Sequence, residues 1–312
     1  SFEPGVNLIL GDNGQGKTNL LEAIGLLSVG RSIRGASDSD MVAWDASEAR
    51  IEVSAHDAAA TRICMALHPG GSKSVTIDGA EAGSLSELVG KLRSVQITPD
   101  MIDHSFRSPS GRRRMLDMLI SQFDRVYLDA LRRHRAVVRN INAAYKRQSS
   151  QEAELSVWEQ QLAEVAIEIT RIRVDVLAEL NVLAVERFST LFGGTDLEFR
   201  IQPTLPLDDA SSVAEQIESA AEALLIARER GLRMGYVTKG AHRDRLSVLI
   251  RDRDIEQHAS QGQIKGAYFA WKFAEGDVIE QRTSSGPIWL VDDPFSEMDR
   301  GRATTLLDTL RE

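Results

Sequence analysis

The stretch Val6-Asn7-Leu8-Ile9-Leu10-Gly11-Asp12-Asn13-Gly14-Gln15-Gly16-Lys17-Thr18 decides the fold. Its first five residues form a short apolar run that suits a buried parallel strand, and the last eight fit G-x-x-x-x-G-K-[ST]. From Asn19 to Leu27, residues Leu20, Leu21, Ile24 and Leu27 fall on one side, so a helix is expected directly after the loop. Strand, glycine-rich loop and helix in this order form the context of a phosphate-binding loop. Glycines let the backbone N–H groups from Gly11 to Gly16 wrap phosphates without Cβ clashes, and the helix start favours negative charge. Lys17 is expected to reach the β- and γ-phosphates of a nucleoside triphosphate, and Thr18 to ligate Mg²⁺, with Asn19 beside them.

A triphosphate also needs a metal carboxylate, and the far end of the chain supplies one. Ile288-Trp289-Leu290-Val291-Asp292-Asp293 reads as a buried strand ending in two acids. Asp292 is placed to hold the Mg²⁺ shell and Asp293 to orient or deprotonate the attacking water. Ser260-Gln261-Gly262-Gln263 precedes a helical run from Ile264 to Ile279. Ser260, Gly262 and Gln263 therefore form a second candidate anion site at a helix start. Ser296-Glu297-Met298-Asp299 follows the acidic strand closely.

Between these ends the pattern changes. ARIEVSA (49–55), TRICMAL (61–67) and KSVTID (73–78) alternate like strands and are divided by His68-Pro69-Gly70-Gly71 and ended by Asp78-Gly79, so an antiparallel section is expected. Leu92 to Thr98 reads as another strand, closed by Pro99. Tyr127, Leu131, His134, Val138, Ile141 and Tyr145 then recur at spacings of four and three, as do Leu155, Trp158, Leu162, Val165, Ile169, Ile172 and Val176. The polar link 146–152 between these two seams predicts an antiparallel helical hairpin. Strand patterns return at 196–201, 246–251 and 288–291, with a helix over 211–233. The expected organisation is an α/β ATPase head with a mixed sheet in two parts, 1–107 and 193–312, and an inserted helical lobe, 108–192.

The chain has 312 residues, 42% hydrophobic and 27% charged, an ordinary globular balance. One cysteine, Cys64, excludes a disulfide framework and a cysteine-built zinc site. No run of apolar residues is long enough to span a bilayer and no signal-peptide pattern opens the sequence, so no membrane association is expected and the chain reads as cytosolic. The net charge of −9 argues against a protein that coats nucleic acid over its whole surface. From Ser105 to Arg147, however, eleven basic residues face three aspartates, a local charge of +8 that leaves −17 for the remainder. Such a stripe is compatible with a defined polyanion-binding face.

GDNGQGKTNLLEAI, GRSIR (30–34), SPSGRRRMLD (108–117), GAHRDRL (240–246), SQGQ and VDDPFSEMD occur in the order found in the RecF family of bacterial recombination proteins, and the chain resembles that family from Phe2 to Asp299. The resemblance implies an ABC-type P-loop ATPase related to SMC heads. SQGQ and SEMD correspond to the signature and D-loops, the signature of one subunit capping the γ-phosphate held by its partner. It further implies ATP with Mg²⁺, an ATP-bound homodimer, duplex DNA at single-strand gaps, RecO and RecR as partners, and help in loading RecA. Slow, DNA-stimulated hydrolysis would reset the complex. Rival readings are another ABC-type head of the SMC or RecN kind, a clamp switched by ATP without functional turnover, and a small-molecule kinase.

Some residues depart from the family pattern. Ala241 stands where proline is common and Arg245 where aspartate is, while Asp293 replaces the glutamate usual in ABC proteins, although RecF-like sequences also carry aspartate there. Gln96 lies inside its strand, which makes Asp100, after Pro99, the expected metal- or water-side contact. Family members also have a strand before this opening and further strands after the D-loop, so the chain reads as a fragment.

Arg112 and Arg113 lie where the head passes into the helical lobe and are candidate DNA contacts. Arg132, Arg135 and Arg139 fall on one helix face, a row able to follow a duplex backbone without reading sequence. No aromatic run accompanies them, so stacking on single strands is not supported. His242 in GAHRD is expected to hold the turn between helix and strand. Combining Arg132→Glu with Arg139→Glu is expected to lower duplex affinity and flatten its salt dependence, measured by fluorescence anisotropy across a salt series.

Overall fold

The computed structural model describes residues 2–12, 14–32, 37–55, 61–147, 152–194 and 196–293. Its helices are α1 (Lys17–Val29), α2 (Pro99–Met101), α3 (Pro109–Ser121), α4 (Arg125–Arg147), α5 (Glu152–Phe192), α6 (Val213–Met234), α7 (Ile255–His258) and α8 (Gln261–Thr283). The strands are β1 (Ala49–Ala55), β2 (Thr61–Leu67), β3 (Lys73–Ile77), β4 (Ala80–Glu81), β5 (Ser94–Ile97), β6 (Leu197–Gln202), β7 (Arg245–Ile250), β8 (Arg253–Asp254) and β9 (Ile288–Val291). Two compact units result. One comprises the residues up to His104, Leu183–Thr195 and those from Ile264 on; the other comprises Ser105–Val182 and Asp196–Gln263. Among the described residues no helix is long and apolar enough to cross a membrane.

In the first unit, β1 to β4 form an antiparallel meander in sequence order. Ile63, Met65 and Leu67 alternate inward along β2 and join Leu26 and Leu27 of α1, Val75, Leu88 and Leu92 in one core cluster. The β3–β4 turn is Asp78-Gly79, both at positive φ (52° and 84°), the geometry a two-residue hairpin requires. Separately, β5 pairs with β9 in parallel. Between Ile264 and Ile279 α8 is almost wholly buried, and its two buried charges, Lys272 and Glu275, pair with each other at 2.6 Å. Gly276 lets Trp289 of β9 approach: a β-carbon there would fall 2.3 Å from the indole Cζ2.

Val6 to Leu10 departs from expectation. No ladder partner for it exists among the described residues, and Val6, Leu8 and Leu10 are 75%, 78% and 80% exposed. The Asn7 side chain instead closes a local turn, accepting from Glu3 N–H and donating to the Glu3 and Gly5 carbonyls. A short polar side chain with local backbone partners competes with strand pairing in this way.

In the second unit, α4 and α5 form the expected antiparallel hairpin. Contacts between them run Tyr145 to Glu159, Arg133 to Glu168 and Tyr127 to Arg173, so position falls on one helix as it rises on the other. Arg228 of α6 reaches into the hairpin, where its guanidinium is bound to both carboxylate oxygens of Glu159. The sheet β6-β7-β8 is antiparallel, with Phe199 opposite Val248.

The centre of this unit is polar. Arg173 is 1% exposed, and its Nε and Nη2 donate to the Asp117 carboxylate of α3 at 3.0 and 3.1 Å. Its Nη1 donates to Ala241 O at 2.6 Å and Asp244 Oδ2 at 3.1 Å. Tyr127 of α4 donates its hydroxyl to Asp117, while Asp244 accepts from Thr170 of α5 and from Thr204 N–H. Burial opposes charge on Arg173, but Asp117, Tyr127 and Asp244 outweigh it and raise the pKa. Removing one member strands the others without water. Arg173→Leu is expected to destabilise this unit by about 3–5 kcal/mol, and Arg173→Lys by less, read as the shift of the urea midpoint by circular dichroism.

Candidate functional site

The loop between Leu10 and α1 is open to solvent at Gly11, Asp12, Gly14, Gln15 and Gly16, while Asn13 lies outside the described residues. Gly16 caps α1 in the left-handed region at φ 83°, a conformation that a β-carbon disfavours. Lys17 folds back over the loop, its Nζ donating to the carbonyls of Gly11 and Asp12 at 2.7 Å each. The ammonium is thereby held above the backbone that would cradle phosphates. Asn19 is exposed on the first turn.

The parallel pairing of β5 with β9 runs from Ser94 opposite Ile288 to Ile97 opposite Val291, and Asp292 N–H continues the ladder to Ile97 O at 2.9 Å. That register brings the acid to the loop: Thr18 Oγ1 donates to Asp292 Oδ2 at 2.8 Å, across 274 residues of sequence. Asp293 follows, exposed and at φ 40°, a strained backbone for a non-glycine residue of the kind that gathers at functional sites. A hydroxyl beside a carboxylate is the hard oxygen donor set that suits Mg²⁺. Among the described residues no group of three or more His, Cys, Asp or Glu could hold a metal. Asp100 accordingly sits exposed on α2 without joining the two acids in such a cluster. Thr18 and Asp292 fit a metal whose remaining ligands are water and phosphate oxygens, as Mg²⁺ prefers. Gln96 is buried in β5, its Nε2 without a partner among the described residues, against Gly25 of α1.

Ser260 and Gln263 close a reciprocal cap on α8: Gln263 N–H donates to Ser260 Oγ at 3.3 Å and Ser260 N–H to Gln263 Oε1 at 2.9 Å. Both are exposed and Gly262 is half-buried, while Arg107 donates to the Gln261 side chain. The D-loop residues Ser296 to Asp299 lie outside the described residues.

The arginines separate into two groups. Arg112 is 0% exposed, and its donors end inside the protein on Leu246 O, Phe106 O and the Glu256 carboxylate. It fastens α3 to β7, and the expectation that it contacts DNA is corrected: nothing of the guanidinium is left to a phosphate. Burial lowers its pKa, with Glu256 pulling the other way. Arg113 is half-buried and donates to Asp244 O. Arg132, Arg135 and Arg139 are exposed on α4, Arg132 with Asp129 at 3.4 Å. Arg135 and Arg139 make no ion pair among the described residues.

Sequence reading passed over Arg173, which follows the seam residue Ile172, and Asp244 and Arg228, which lie outside both seams. The available signal was the pair Arg171 and Arg173 inside the stripe Ile169-Ile172-Val176, a place where a long charged side chain that turns inward must find a buried partner.

A family model described as RecF/RecN/SMC N terminal domain matches residues 1–312. The DNA replication and repair protein RecF of Geobacillus thermodenitrificans is 32% identical over 317 residues, covering 100% of this chain and 85% of that protein. The RecF of Symbiobacterium thermophilum is 35% identical over 321 residues, with 100% and 84% covered. A solved structure of the recombination mediator protein RecF with ATP, in the RecFOR pathway, matches at TM-score 0.91 and 29% identity over 99% of this chain and 84% of that one. An Smc head domain from Pyrococcus furiosus, bound to the C-terminal domain of ScpA, matches at TM-score 0.50 and 17% identity over 99% and 81%, a likeness of fold alone. The α/β ABC-type ATPase head with a helical lobe, expected from the sequence, is the fold found.

Lys17→Met is expected to weaken binding of a fluorescent nucleoside triphosphate at least tenfold. Thr18→Ala should retain metal-free binding and lose the gain that Mg²⁺ gives to the native chain, read by titration with and without EDTA.

Proposed function

The chain belongs to the RecF family of ABC-type ATPases, and we propose that it is a cytoplasmic, ATP-dependent DNA-binding protein of recombinational repair whose ATP-bound dimer clamps duplex DNA beside single-strand gaps. The observation that carries this reading is the Thr18–Asp292 hydrogen bond, which joins the glycine-rich loop to the acid-ended strand. The nucleotide half follows from it. Loop N–H groups and Lys17 bind the phosphates, with Lys17 Nζ exchanging the Gly11 and Asp12 carbonyls for β- and γ-oxygens. Thr18 Oγ1 and the Asp292 carboxylate would hold Mg²⁺, which supplies charge neutralisation at the β- and γ-phosphates.

Asp293 accepts a hydrogen bond from the attacking water and takes its proton as the oxygen bonds to γ-phosphorus. The bond to the β–γ bridging oxygen breaks, and ADP leaves with the electron pair. Ser260 and Gln263 of one protomer complete the site of its partner, so turnover is slow until two copies meet. DNA lies along Arg132, Arg135 and Arg139, with the lobe 108–192 carrying that face. RecR and RecO are the expected partners in helping RecA to load.

Hydrolysis measured across the monomer–dimer range, with and without gapped duplex, tests this. Specific activity should rise with protein concentration and with DNA, and vanish in Lys17→Met, while Asp293→Asn should trap a long-lived DNA complex. Turnover indifferent to both DNA and concentration would overturn the clamp and favour a small-molecule substrate.

A further inference from the structure

The second unit carries a groove of about 440 Å³ along α4, facing the turn that precedes β7. Arg135, Arg139 and Lys146 line its length, and His134 and His242 line its inner end. His134 is 4% exposed, and its Nε2 has no hydrogen-bond partner among the described residues. The same holds for Nδ1 of His242, whose Nε2 lies 3.4 Å from Val237 O. The two rings are 5.2 Å apart and tilted by 53°. Gly240, at φ 124°, lies beside both: a β-carbon there would sit 3.2 Å from His242 Nδ1 and 3.7 Å from His134 Nε2. Both unpartnered nitrogens therefore face Gly240, where the absence of a side chain lets the two rings pack closely.

Cations surround this space from every element packed on it. Arg113 of α3, Arg135 of α4, Arg173 of α5 and Arg243 of the turn all disfavour a proton on the imidazoles. Asp117 and Asp244, the nearby acids, are engaged with Arg173. Burial is the larger influence, and with the arginines it pushes His134 down to about 3 and His242 down to about 4. Arg173 is thus compensated, whereas Arg135 and Arg139 on the groove wall make no ion pair among the described residues, and it is their charge that an anion in the groove relieves.

We propose that this groove is a phosphate-binding site, Arg135, Arg139 and Lys146 supplying charge and hydrogen bonds along its walls and the rings of His134 and His242 closing its inner end. The phosphate belongs to a DNA backbone or to a free nucleotide. Arg135 and Lys146 lie eleven positions apart, about 16 Å along the helix, which suits several consecutive phosphates better than one. With a backbone as ligand, the site rests on the DNA reading above and gives it an anchoring point. An anion beside the rings also favours their protonation, so occupancy draws protons from solution.

The test follows the histidine ring signals of the full chain by NMR, assigned with His134→Gln and His242→Gln, in a Lys17→Met background that weakens the nucleotide loop. Inorganic phosphate, ATP and a 20-base-pair duplex are added in separate titrations. Shifts of both histidines with phosphate, and with either the duplex or ATP, are expected, the effective arm identifying the source. Arg139→Gln with Lys146→Gln, both on the surface, should abolish the shifts and weaken binding of that ligand five- to twentyfold. Rings that stay unmoved by all three ligands would overturn the site. Unmoved rings alongside a duplex affinity that still depends on Arg132 and Arg139 would do so while leaving the DNA reading intact. Shifts with phosphate and ATP, in a chain whose duplex affinity ignores that arginine row, would keep the groove and remove the DNA reading.

Discussion

One buried guanidinium organises the second unit. Arg173 is contributed by α5, yet its partners come from α3, from α4 through Tyr127, and from the turn at Ala241 and Asp244. A hydrophobic contact at this place would tolerate sliding of one helix on another. A planar fork with five directed donors does not, because each partner is met at one orientation. The hairpin register, the approach of the turn to α4 and the position of His242 all depend on where that fork sits. Isolated buried ion pairs are poor sources of net stability, so the gain from this arrangement is in specificity of geometry more than in free energy.

The nucleotide half is organised by distance along the chain. Thr18 and Asp292 meet only if β5 and β9 pair in parallel, which places the acid in register with the loop. The chain between them must already be folded for that pairing to hold. A site assembled this way reports on the integrity of the first unit.

Much of this was legible in the sequence, for identifiable reasons. Local periodicity revealed the helical hairpin, because both seams repeat at three and four. The P-loop and the Asp-ended strand could be read because phosphate and metal chemistry demand particular residues at short spacings. What escaped reading was long-range and polar. Arg112 looked like a surface cation because its neighbours Arg113 and Arg114 are also basic, and only the fold shows Glu256 and Leu246 waiting for it. Val6 to Leu10 has the composition of a strand, but a strand also needs a partner, and composition does not name one. The partners of Arg173 are invisible for the same reason: its acids lie 56 and 71 positions away in the chain.

The backbone at Asp293 has a consequence for the choice of carboxylate there. With φ at 40°, the residue occupies a region in which aspartate and asparagine are several-fold enriched, because their short side chains can bond locally. A glutamate would put a longer, freer arm on a peptide that disfavours it, and its carboxyl would sweep a wider arc. An aspartate at 293 therefore suits the main chain at this corner.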